Sequence, residues 1–236
     1  MTNTLVKPHV SLIIAALNEE AAIGKVINGV PRHITDEIIV VDNGSTDRTK
    51  EVASAAGARV VQEPRRGYGS AFRAGLRSLS PDCEIVVFLD GDGSDYPEMM
   101  IQLVEPIIKG THDFVVSSRT RGRRESGSMN WHQVFAGYMI GFFLRLLYGV
   151  HSTDMGPFRA IRRDALESLG MREETYGWPL EMQMRAARAH LRTLEVPVDY
   201  RRRAGGHSKI AGTVRGSVLA ATRILLTLAR IALERR

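Results

Sequence analysis

Short apolar runs alternate with amphipathic segments through the first half of the chain. Such alternation is typical of βαβ units, in which helical crossovers join parallel strands. It predicts an α/β protein with a mostly parallel, Rossmann-like sheet and helices on both of its faces. The predicted strands cover residues 10–15, 37–41, 58–62, 84–90 and 113–118, and the predicted helices cover 19–30, 46–57, 70–79 and 97–108.

The second half of the chain is less regular. The predicted helices are 131–148, 179–190 and about 213 to the end, and the predicted strands are 156–161 and 192–200. Pro197 favours an edge position for the last strand, because proline cannot donate to a ladder. No repeat, low-complexity tract or linker divides the chain, so residues 1–236 are predicted to form one domain.

Polar groups follow each predicted strand of the first half. The carboxyl ends of parallel strands share one edge of the sheet, and ligands bind in the crevice there. Asp, Asn, Gly and Ser also cap helices and make turns, so one such loop would mean little. Several on one edge favour a shared site. The loops expected to line it are 16–19, 42–47, 63–69, 90–96 and 119–129.

The chemistry of these loops suits a phosphorylated ligand and a hard cation. Arg65 and Arg66 precede Gly-Tyr-Gly, and both guanidinium groups and glycine N–H groups bind phosphate. Asp42, at a strand end, suits a base or a ribose. Asp90 and Asp92 in "LDGDGSDYP" suit Mg²⁺ or Mn²⁺, which prefer carboxylate and phosphate oxygens. One cation between two aspartates and a diphosphate would satisfy all of these charges.

Other phosphate and metal motifs do not match. A calcium loop counted from Asp90 would need Gly and Glu at positions that Asp95 and Ile101 occupy. "GYGSAF" has its third glycine misplaced at Gly75, so it is not the dinucleotide fingerprint. No P-loop sequence occurs. Asp95 is interpreted as a cap for the helix that begins near Pro97.

The composition indicates a cellular compartment and a class of binding partner. A single cysteine, Cys83, excludes an internal disulfide and favours the reducing cytoplasm. No leader is visible, and no segment reaches the ~18 uncharged apolar residues of a membrane span. The net charge is +6, and from Arg185 onward twelve Lys and Arg stand against three Asp and Glu. This balance indicates either an anionic partner, such as nucleic acid, phosphate or an acidic membrane, or a solvated basic face.

The last predicted helix, "VRGSVLAATRILLTLARIALERR", carries its arginines mostly on one side and its apolar residues mostly on the other. Such a helix suits a membrane interface. Packing on the core, or on a second copy of the chain in a homo-oligomer, would explain the pattern equally well. The apolar stretch 135–149 is expected to extend the same membrane-facing surface.

A series of motifs resembles the inverting family 2 glycosyltransferases, which have the GT-A nucleotide-sugar fold. Within that family the sequence is most similar to the polyprenyl-phosphate and dolichyl-phosphate mannose or glucose synthases. The motifs are "ALNEE", "VDNGSTD", "RRGYGSA", "DGDGSDYP", "DMGPFRAIRRDAL" and "YRRRAGGHSK", within residues 9–213. The resemblance divides the domain into a nucleotide-sugar half (1–112), an acceptor half (113–212) and a C-terminal amphipathic helix (213–236).

The resemblance also implies roles for individual residues. The implied donor-binding residues are Ala15, Asn18, Glu19, Asp42, Arg66, Gly67, Asp90 and Asp92, of which Asp90 and Asp92 would bind Mg²⁺ or Mn²⁺. The implied acceptor-binding residues are Ser118, Arg119, Asp154, Arg159, Arg202, Arg203, Ser208 and Lys209. The implied catalytic residues are Asp92, Glu181, Arg119 and Lys209.

The sequence departs from the family pattern in four respects. Ala15 replaces the usual proline, which leaves a backbone contact open. Ser94 stands where some relatives have a glutamine, so a third protein ligand for the metal is undetermined. Consecutive arginines leave the functional one ambiguous between Arg202 and Arg203. Many relatives continue into transmembrane helices, which are not expected here.

The resemblance implies metal-dependent, inverting transfer of a hexose from a UDP-glucose or GDP-mannose type donor to a polyprenyl phosphate, by an enzyme bound peripherally to the cytoplasmic face of a membrane. A phosphate acceptor is already anionic and needs no general base, and the arginine-rich loops suit it. A soluble or protein-borne hydroxyl would need a base, for which Glu181 or Asp154 is the candidate. A catalytically silent nucleotide-sugar-binding protein is a further alternative. Nucleic acid is not an expected partner.

Overall fold

A computed structural model describes residues 7–205 and 214–234 and, within 214–221, the backbone alone. Its strands are β1 (Val10–Ala16), β2 (Glu37–Asp42), β3 (Arg59–Gln62), β4 (Ile85–Asp90), β5 (Phe114–Ser118), β6 (Arg159–Arg162) and β7 (Thr193–Pro197). Its helices are α1 (Ile23–Asn28), α2 (Thr49–Ala55), α3 (Tyr68–Arg77), α4 (Met100–Ile108), α5 (Trp131–Tyr148), α6 (Arg163–Ser168), α7 (Trp178–Arg188) and α8 (Val214–Leu233). A short 3₁₀ turn, Pro97–Met99, precedes α4.

The strands form one seven-stranded sheet in the order β3-β2-β1-β4-β6-β5-β7. β1 pairs in parallel with β2 and with β4. β6 runs antiparallel to both of its neighbours, β4 and β5. β7 pairs in parallel with β5 at the edge, as Pro197 predicted. The predicted α/β class and mostly parallel sheet are confirmed, and both predicted halves of the domain supply strands to the same sheet.

The limits of the strands in the first half of the chain agree with the sequence prediction to within one residue. The limits of some helices, and of the elements in the second half, differ from the prediction. α1 begins later than predicted, because hydrogen bonds to the 45–49 loop hold the preceding residues in a turn, such as that from the Glu19 N–H to Thr49 Oγ1 at 2.8 Å. β6 begins at Arg159 because Pro157 has no N–H for a ladder. Helix α6 was not predicted, since its six residues are too few to show a helical period.

The strands are buried on both faces, as expected for a parallel sheet covered by helices. Leu12 and Ile14 of β1 face a layer formed by α1, α2 and α4, whereas Ile13 faces a layer that includes α3, α6 and α7. Helix α3 approaches β1 so closely that a Cβ atom on Gly75 would lie 2.4 Å from Ile13 Cγ2. Helices on both faces of the sheet, as predicted, are therefore confirmed.

Helices α5, α7 and α8 pack together in a third apolar cluster. Its buried members are Ile140, Leu144, Leu180, Met184 and Ile231. The predicted C-terminal helix is present, and one side of it packs against the rest of the chain while Leu225 and Leu226 are exposed. Within the described residues, no helix has the length and apolar character needed to cross a membrane.

Asp113 and Arg192 fasten together the starts of β5 and β7. Arg192 Nε and Nη2 donate to the carboxylate of Asp113 at 2.9 and 2.7 Å, and the Arg192 N–H donates at 3.1 Å. Hydrogen bonds from Arg192 lower the pKa of Asp113 to about 2. A carboxyl whose pKa is lower in the folded state stabilises that state above its unfolded pKa, and this stabilisation is lost as the pH falls through the folded value.

We expect Asp113→Asn to lower Tm by about 2 to 4 °C at neutral pH, because the charged pair is lost. The difference from wild type should shrink between about pH 4 and pH 2, where the wild-type carboxyl takes up its proton. Melting followed by circular dichroism across this range measures both effects. Asp82→Asn, at an exposed position, should leave Tm unchanged. A wild-type Tm for Asp113→Asn at neutral pH would contradict this account.

Candidate active site

Two cavities lie at the carboxyl ends of the strands and share one wall. The first cavity has a volume of about 390 Å³ and the second about 450 Å³. The residues common to both are Tyr68, Asp90, Asp92, Tyr176 and Arg203. The crevice expected at this edge of the sheet is thus divided into two compartments that meet at the paired aspartates.

The first cavity gathers residues from the end of β1, the end of β4 and the start of α3. Six of the expected donor-binding residues line it: Ala15, Glu19, Arg66, Gly67, Asp90 and Asp92. Thr175 and Tyr176, just before α7, form another part of the wall. No sequence motif pointed to these two, since they lie in an irregular segment far from the strand-end loops.

Asn43 shapes the first cavity and was also missed. Its amide nitrogen donates to the carbonyl oxygens of Glu63 and Arg65 at 2.9 and 2.8 Å, and its amide oxygen accepts the Gly67 N–H at 2.8 Å. One side chain therefore binds backbone groups at three positions of the basic loop. Glycine is required at position 67, where φ is +157° and a Cβ atom would lie 2.4 Å from the Glu174 carbonyl oxygen. The sequence did offer a signal for this role, because Asn43 directly follows Asp42 at the end of a predicted strand.

Asp42 and Asn18 lie behind the wall. Asp42 is 5% exposed, and its carboxylate accepts the Ser45 N–H at 2.9 Å. The Asn18 side-chain oxygen accepts the Thr46 N–H at 2.8 Å. Neither is among the residues that line the two cavities. Both side chains shape the 42–47 loop through these hydrogen bonds, and their expected contact with the donor stays a prediction.

Three carboxylates crowd together after β4. Burial, and next the charge of Asp92, raise the pKa of Asp90 to about 7, although its Oδ1 accepts a hydrogen bond from Tyr68 at 2.8 Å. Burial, and next the charge of Asp90, raise the pKa of Asp95 well above its usual range. Neither Asp95 oxygen has a hydrogen-bond partner in the described residues. The interpretation of Asp95 as a helix cap is therefore wrong.

This crowding is the electrostatic pattern that a bound cation relieves. The Ser94 N–H donates to Asp92 Oδ1 at 2.8 Å and orients that carboxylate. In the described part of the chain, no group of three or more His, Cys, Asp or Glu side chains is arranged to hold a metal ion. A cation at this point would therefore rely on Asp90, Asp92 and oxygens from a ligand, a donor set that fits Mg²⁺ or Mn²⁺.

The two consecutive arginines after Arg201 make different contacts. Arg203 Nη1 lies 2.7 Å from Asp92 Oδ2, and its Nη2 lies 2.5 Å from Glu19 Oε1. Arg202 instead donates from Nε to the Ser126 carbonyl oxygen at 2.6 Å. Arg203 thus contacts Asp92, one of the paired aspartates, and lines both cavities, whereas Arg202 lines only the second.

Arg119 supplies a fixed positive charge in the second cavity. Its Nε and Nη2 donate to the two oxygens of Asp154 at 2.7 and 2.8 Å, and its guanidinium carbon lies 5.0 Å from the ring centroid of Tyr200. Burial would raise the pKa of Asp154, but the charge and hydrogen bonds of Arg119 outweigh it and keep that pKa below its usual value. Asp154 is therefore a partner for Arg119 and a poor general base.

Two other expected acceptor residues are buried beneath this cavity. The Ser118 hydroxyl lies 2.7 Å from that of Thr153. Arg159 is 1% exposed and donates to the carbonyl oxygens of Gly156 and Pro179. Both side chains support the walls and do not line them. Ser208 and Lys209 lie outside the described residues.

Glu181, which was expected to be a catalytic residue, is not in either cavity wall. It is 0% exposed, and its carboxylate accepts hydrogen bonds from Arg185 Nε at 3.0 Å, Arg230 Nη2 at 3.1 Å, and the N–H groups of Arg172 and Glu173. A carboxylate held by four donors and closed off from the cavities is poorly placed to act as a base. In this structure Glu181 supports the backbone before α7, and its expected catalytic role stays a prediction.

Known sequences identify the class of enzyme. Residues 11–170 match the family model described as glycosyl transferase family 2. The chain belongs to this family, and the resemblance noted from its motifs is confirmed. It is 36% identical to a dolichyl-phosphate hexose transferase of Haloferax volcanii, over 83% of this chain and 84% of that protein. It is 30% identical to an undecaprenyl-phosphate mannosyltransferase of Micrococcus luteus, over 89% of this chain and 91% of that protein.

Solved structures identify the fold. The glucosyl-3-phosphoglycerate synthase of Mycobacterium tuberculosis, in complex with Mn²⁺, UDP and glucosyl-3-phosphoglycerate, superposes with a TM-score of 0.76 at 26% identity, over 95% of this chain and 80% of that chain. The same synthase has also been crystallised with Mn²⁺, UDP-glucose and phosphoglyceric acid. The predicted GT-A fold is confirmed, and the expected divalent cofactor agrees with the cation in these complexes.

We expect Asp154→Asn to lower the free energy of unfolding by about 3 kcal/mol, because it leaves the buried Arg119 charge without its carboxylate. Urea denaturation measures the change. The double variant Arg119→Met/Asp154→Leu should recover most of the loss, since apolar side chains of similar volume can replace a buried ion pair. Equal stability of Asp154→Asn and wild type would show that the pair is solvated and would contradict the burial described.

Proposed function

We propose that the protein transfers a hexose from a nucleoside diphosphate sugar, of the UDP-glucose or GDP-mannose type, to a polyprenyl phosphate, with inversion at the anomeric carbon. One observation carries the proposal. In the described residues, Asp90 and Asp92 are the only carboxylates in the wall of the second cavity, which Arg119, Arg202 and Arg203 also line. A hydroxyl nucleophile needs a general base, whereas a phosphate is already anionic. An arginine-lined cavity without a spare base suits a phosphate acceptor.

The first cavity would hold the donor. Arg66 offers guanidinium hydrogen bonds to a diphosphate, and Gly67 lines the cavity beside it. The paired aspartates at the far wall would hold Mg²⁺ or Mn²⁺ against the same diphosphate. When bound, the cation supplies a Lewis acid that stabilises the charge developing on the leaving group. The complexes of the related synthase with Mn²⁺ and UDP support this assignment.

Arg119 would position the acceptor. The bidentate pair with Asp154 fixes its guanidinium in advance, so little ordering is needed when a phosphate binds. Held there, an oxygen of the acceptor phosphate faces the anomeric carbon. That oxygen forms the new C–O bond while the bond from the anomeric carbon to the diphosphate breaks. The electron pair of the broken bond leaves with the nucleoside diphosphate.

Helix α5 would guide the lipid part of the acceptor. Asn130 and Gln133, at its start, line the second cavity. The helix then exposes a group of apolar side chains, the α5 surface: Trp131, Phe135, Tyr138, Met139, Phe142, Leu146 and Leu147. Exposed apolar patches mark interaction sites. We assign this one to the cytoplasmic face of a membrane, with peripheral binding; a second copy of the chain is the competing occupant.

A soluble acceptor is the second candidate, because the related synthase was crystallised with phosphoglyceric acid. The arginines of the second cavity would bind such a phosphate too. The hydroxyl to be glycosylated would still need a general base. Both carboxylates that the sequence offered as that base, Asp154 and Glu181, form ion pairs with arginines. The lipid phosphate is therefore the better supported acceptor. A catalytically silent nucleotide-sugar-binding protein would show no turnover with either.

The deciding experiment supplies UDP-glucose or GDP-mannose with Mn²⁺ and compares undecaprenyl phosphate in vesicles with 3-phosphoglyceric acid. We expect transfer to the lipid phosphate, and a loss of about 100-fold or more in Asp92→Asn, because the leaving charge is no longer stabilised. Phe142→Ser should lower transfer in vesicles but not to detergent-dispersed lipid.

Transfer to phosphoglyceric acid alone would establish the second candidate instead. Near-normal turnover by Asp92→Asn, with metal dependence intact, would show that the metal assignment is wrong. If Phe142→Ser changes the oligomeric state of the protein and leaves vesicle transfer unaffected, the α5 surface is a contact between copies.

Arg203 is expected to compete with the cation for Asp92, since its guanidinium neutralises that carboxylate. We predict that Arg203→Ala binds Mn²⁺ about fivefold more tightly than wild type in the absence of nucleotide, as expected for removal of one partly buried ion pair. The measurement is electron paramagnetic resonance of free Mn²⁺. Arg202→Ala is the matched control and should leave the Kd unchanged. Equal or weaker Mn²⁺ binding by Arg203→Ala would contradict the competition.

A further inference from the structure

Residues 172–177 form a segment that reaches from α8 to the first cavity. Thr175 and Tyr176 line the cavity. The Glu174 carbonyl oxygen accepts the Ser70 N–H at 2.9 Å, and its carboxylate accepts a hydrogen bond from Arg73 at 2.8 Å. The segment therefore lies directly against the glycine-rich start of α3, where the donor diphosphate is proposed to bind.

Residues 172–174 belong to no helix or strand, and one turn hydrogen bond, from the Trp178 N–H to the Thr175 carbonyl oxygen, precedes α7. Two glutamates hold other backbone groups of the segment. Glu181 accepts the N–H groups of Arg172 and Glu173 at 2.9 and 2.6 Å, and Glu173 accepts the N–H and hydroxyl of Thr175. The conformation of the cavity wall at Thr175 and Tyr176 thus depends on where these two carboxylates are held.

Helix α8 holds both carboxylates. Thr227, which is 2% exposed, donates its hydroxyl to Glu173 Oε2 at 3.0 Å. Arg230 Nη2 lies 3.1 Å from Glu181 Oε1 and 3.4 Å from Glu173 Oε2. A Cβ atom on Gly177 would lie 2.4 Å from Thr227 Oγ1, so the helix and the segment are in direct contact.

A second set of ion pairs fixes α8 itself. Arg185 of α7 lies 3.0 Å from both Glu181 and Glu234, and Arg188 donates to the Ile231 carbonyl oxygen at 2.7 Å. Charged hydrogen bonds in such a partly buried network hold their members in one arrangement. A change in the position of α8 would therefore move the cavity wall, because Thr227 and Arg230 of α8 bind Glu173 and Glu181.

We propose that α8 is a working part of the donor site and that Thr227, Arg230, Glu173 and Glu181 are positioning residues, which hold Thr175 and Tyr176 against the bound nucleoside diphosphate. This inference rests on the proposed donor function of the first cavity. It gives Glu181 a role that acts through the backbone of the 172–177 segment and not on the sugar.

The test uses Thr227→Val, which removes the hydroxyl but keeps the shape of the side chain, and Thr227→Ser, which restores the hydroxyl. Calorimetric titration with UDP and with GDP, each with Mn²⁺, gives the Kd. We expect Thr227→Val to raise the Kd of the nucleotide that wild type binds by about three- to tenfold, the ordinary net effect of one lost hydrogen bond. Thr227→Ser should bind as wild type does.

Two controls separate positioning from loss of folding. Arg223→Ala, at an exposed position on the same helix, should leave the Kd unchanged. Amide hydrogen exchange at residues 172–175 should accelerate in Thr227→Val, while exchange in β1 and β4 stays at the wild-type rate. A steady-state assay should show a higher donor KM with a nearly unchanged kcat.

Equal nucleotide affinity in wild type and Thr227→Val would overturn the inference, whether or not the exchange rates change. An equal loss in Thr227→Ser would also overturn it, because the hydroxyl would then not be the cause. If wild type binds neither UDP nor GDP, the proposed donor function fails first and this inference fails with it. The wild-type titration therefore tells the two failures apart.

Discussion

Three carboxylates stand close together in a buried place at the end of β4, and this arrangement is unfavourable unless positive charge is near. The three carboxylates are those of Asp90, Asp92 and Asp95. Two arginines lie near them, and each is held by a further carboxylate: Arg203 by Glu19 and Arg119 by Asp154. The charges are only partly balanced, so the site is prepared for a cation and a polyanionic ligand.

The scaffold that holds this charge pattern combines regular and irregular parts. The sheet brings the ends of β1, β4 and β5 to one edge, and burial on both faces makes those ends rigid. The remaining wall is irregular and takes its order from side chains. Asn43 fixes the basic loop, and the glutamates at 173 and 181 fix the segment before α7. Polar side chains thus supply the backbone hydrogen bonds that regular structure does not.

The sequence predicted the parts that depend on local pattern. Buried parallel strands read as continuous β-branched runs, so β1 to β5 and their polar ends were found. Features that depend on long-range contacts were not predicted. The direction of β6 depends on its neighbours, and the burial of Asp95 depends on the segment around Tyr200, which bridges to it from far along the chain. The motif indicated a catalytic role for Glu181. Its carboxylate is bound by Arg230 of α8, a long-range contact that no local sequence pattern predicts.

The antiparallel strand β6 has a consequence for the spacing of the reaction. It lies between β4 and β5, so the ends of those two strands are separated by two strand widths, roughly 10 Å. Asp90 ends one strand and Arg119 follows the other. That spacing sets the distance between the proposed cation site and the arginine proposed to position the acceptor. A parallel strand in the place of β6 would have ended at this edge, whereas β6 begins there, and the segment that leads into it lines the second cavity with Met155 and Pro157.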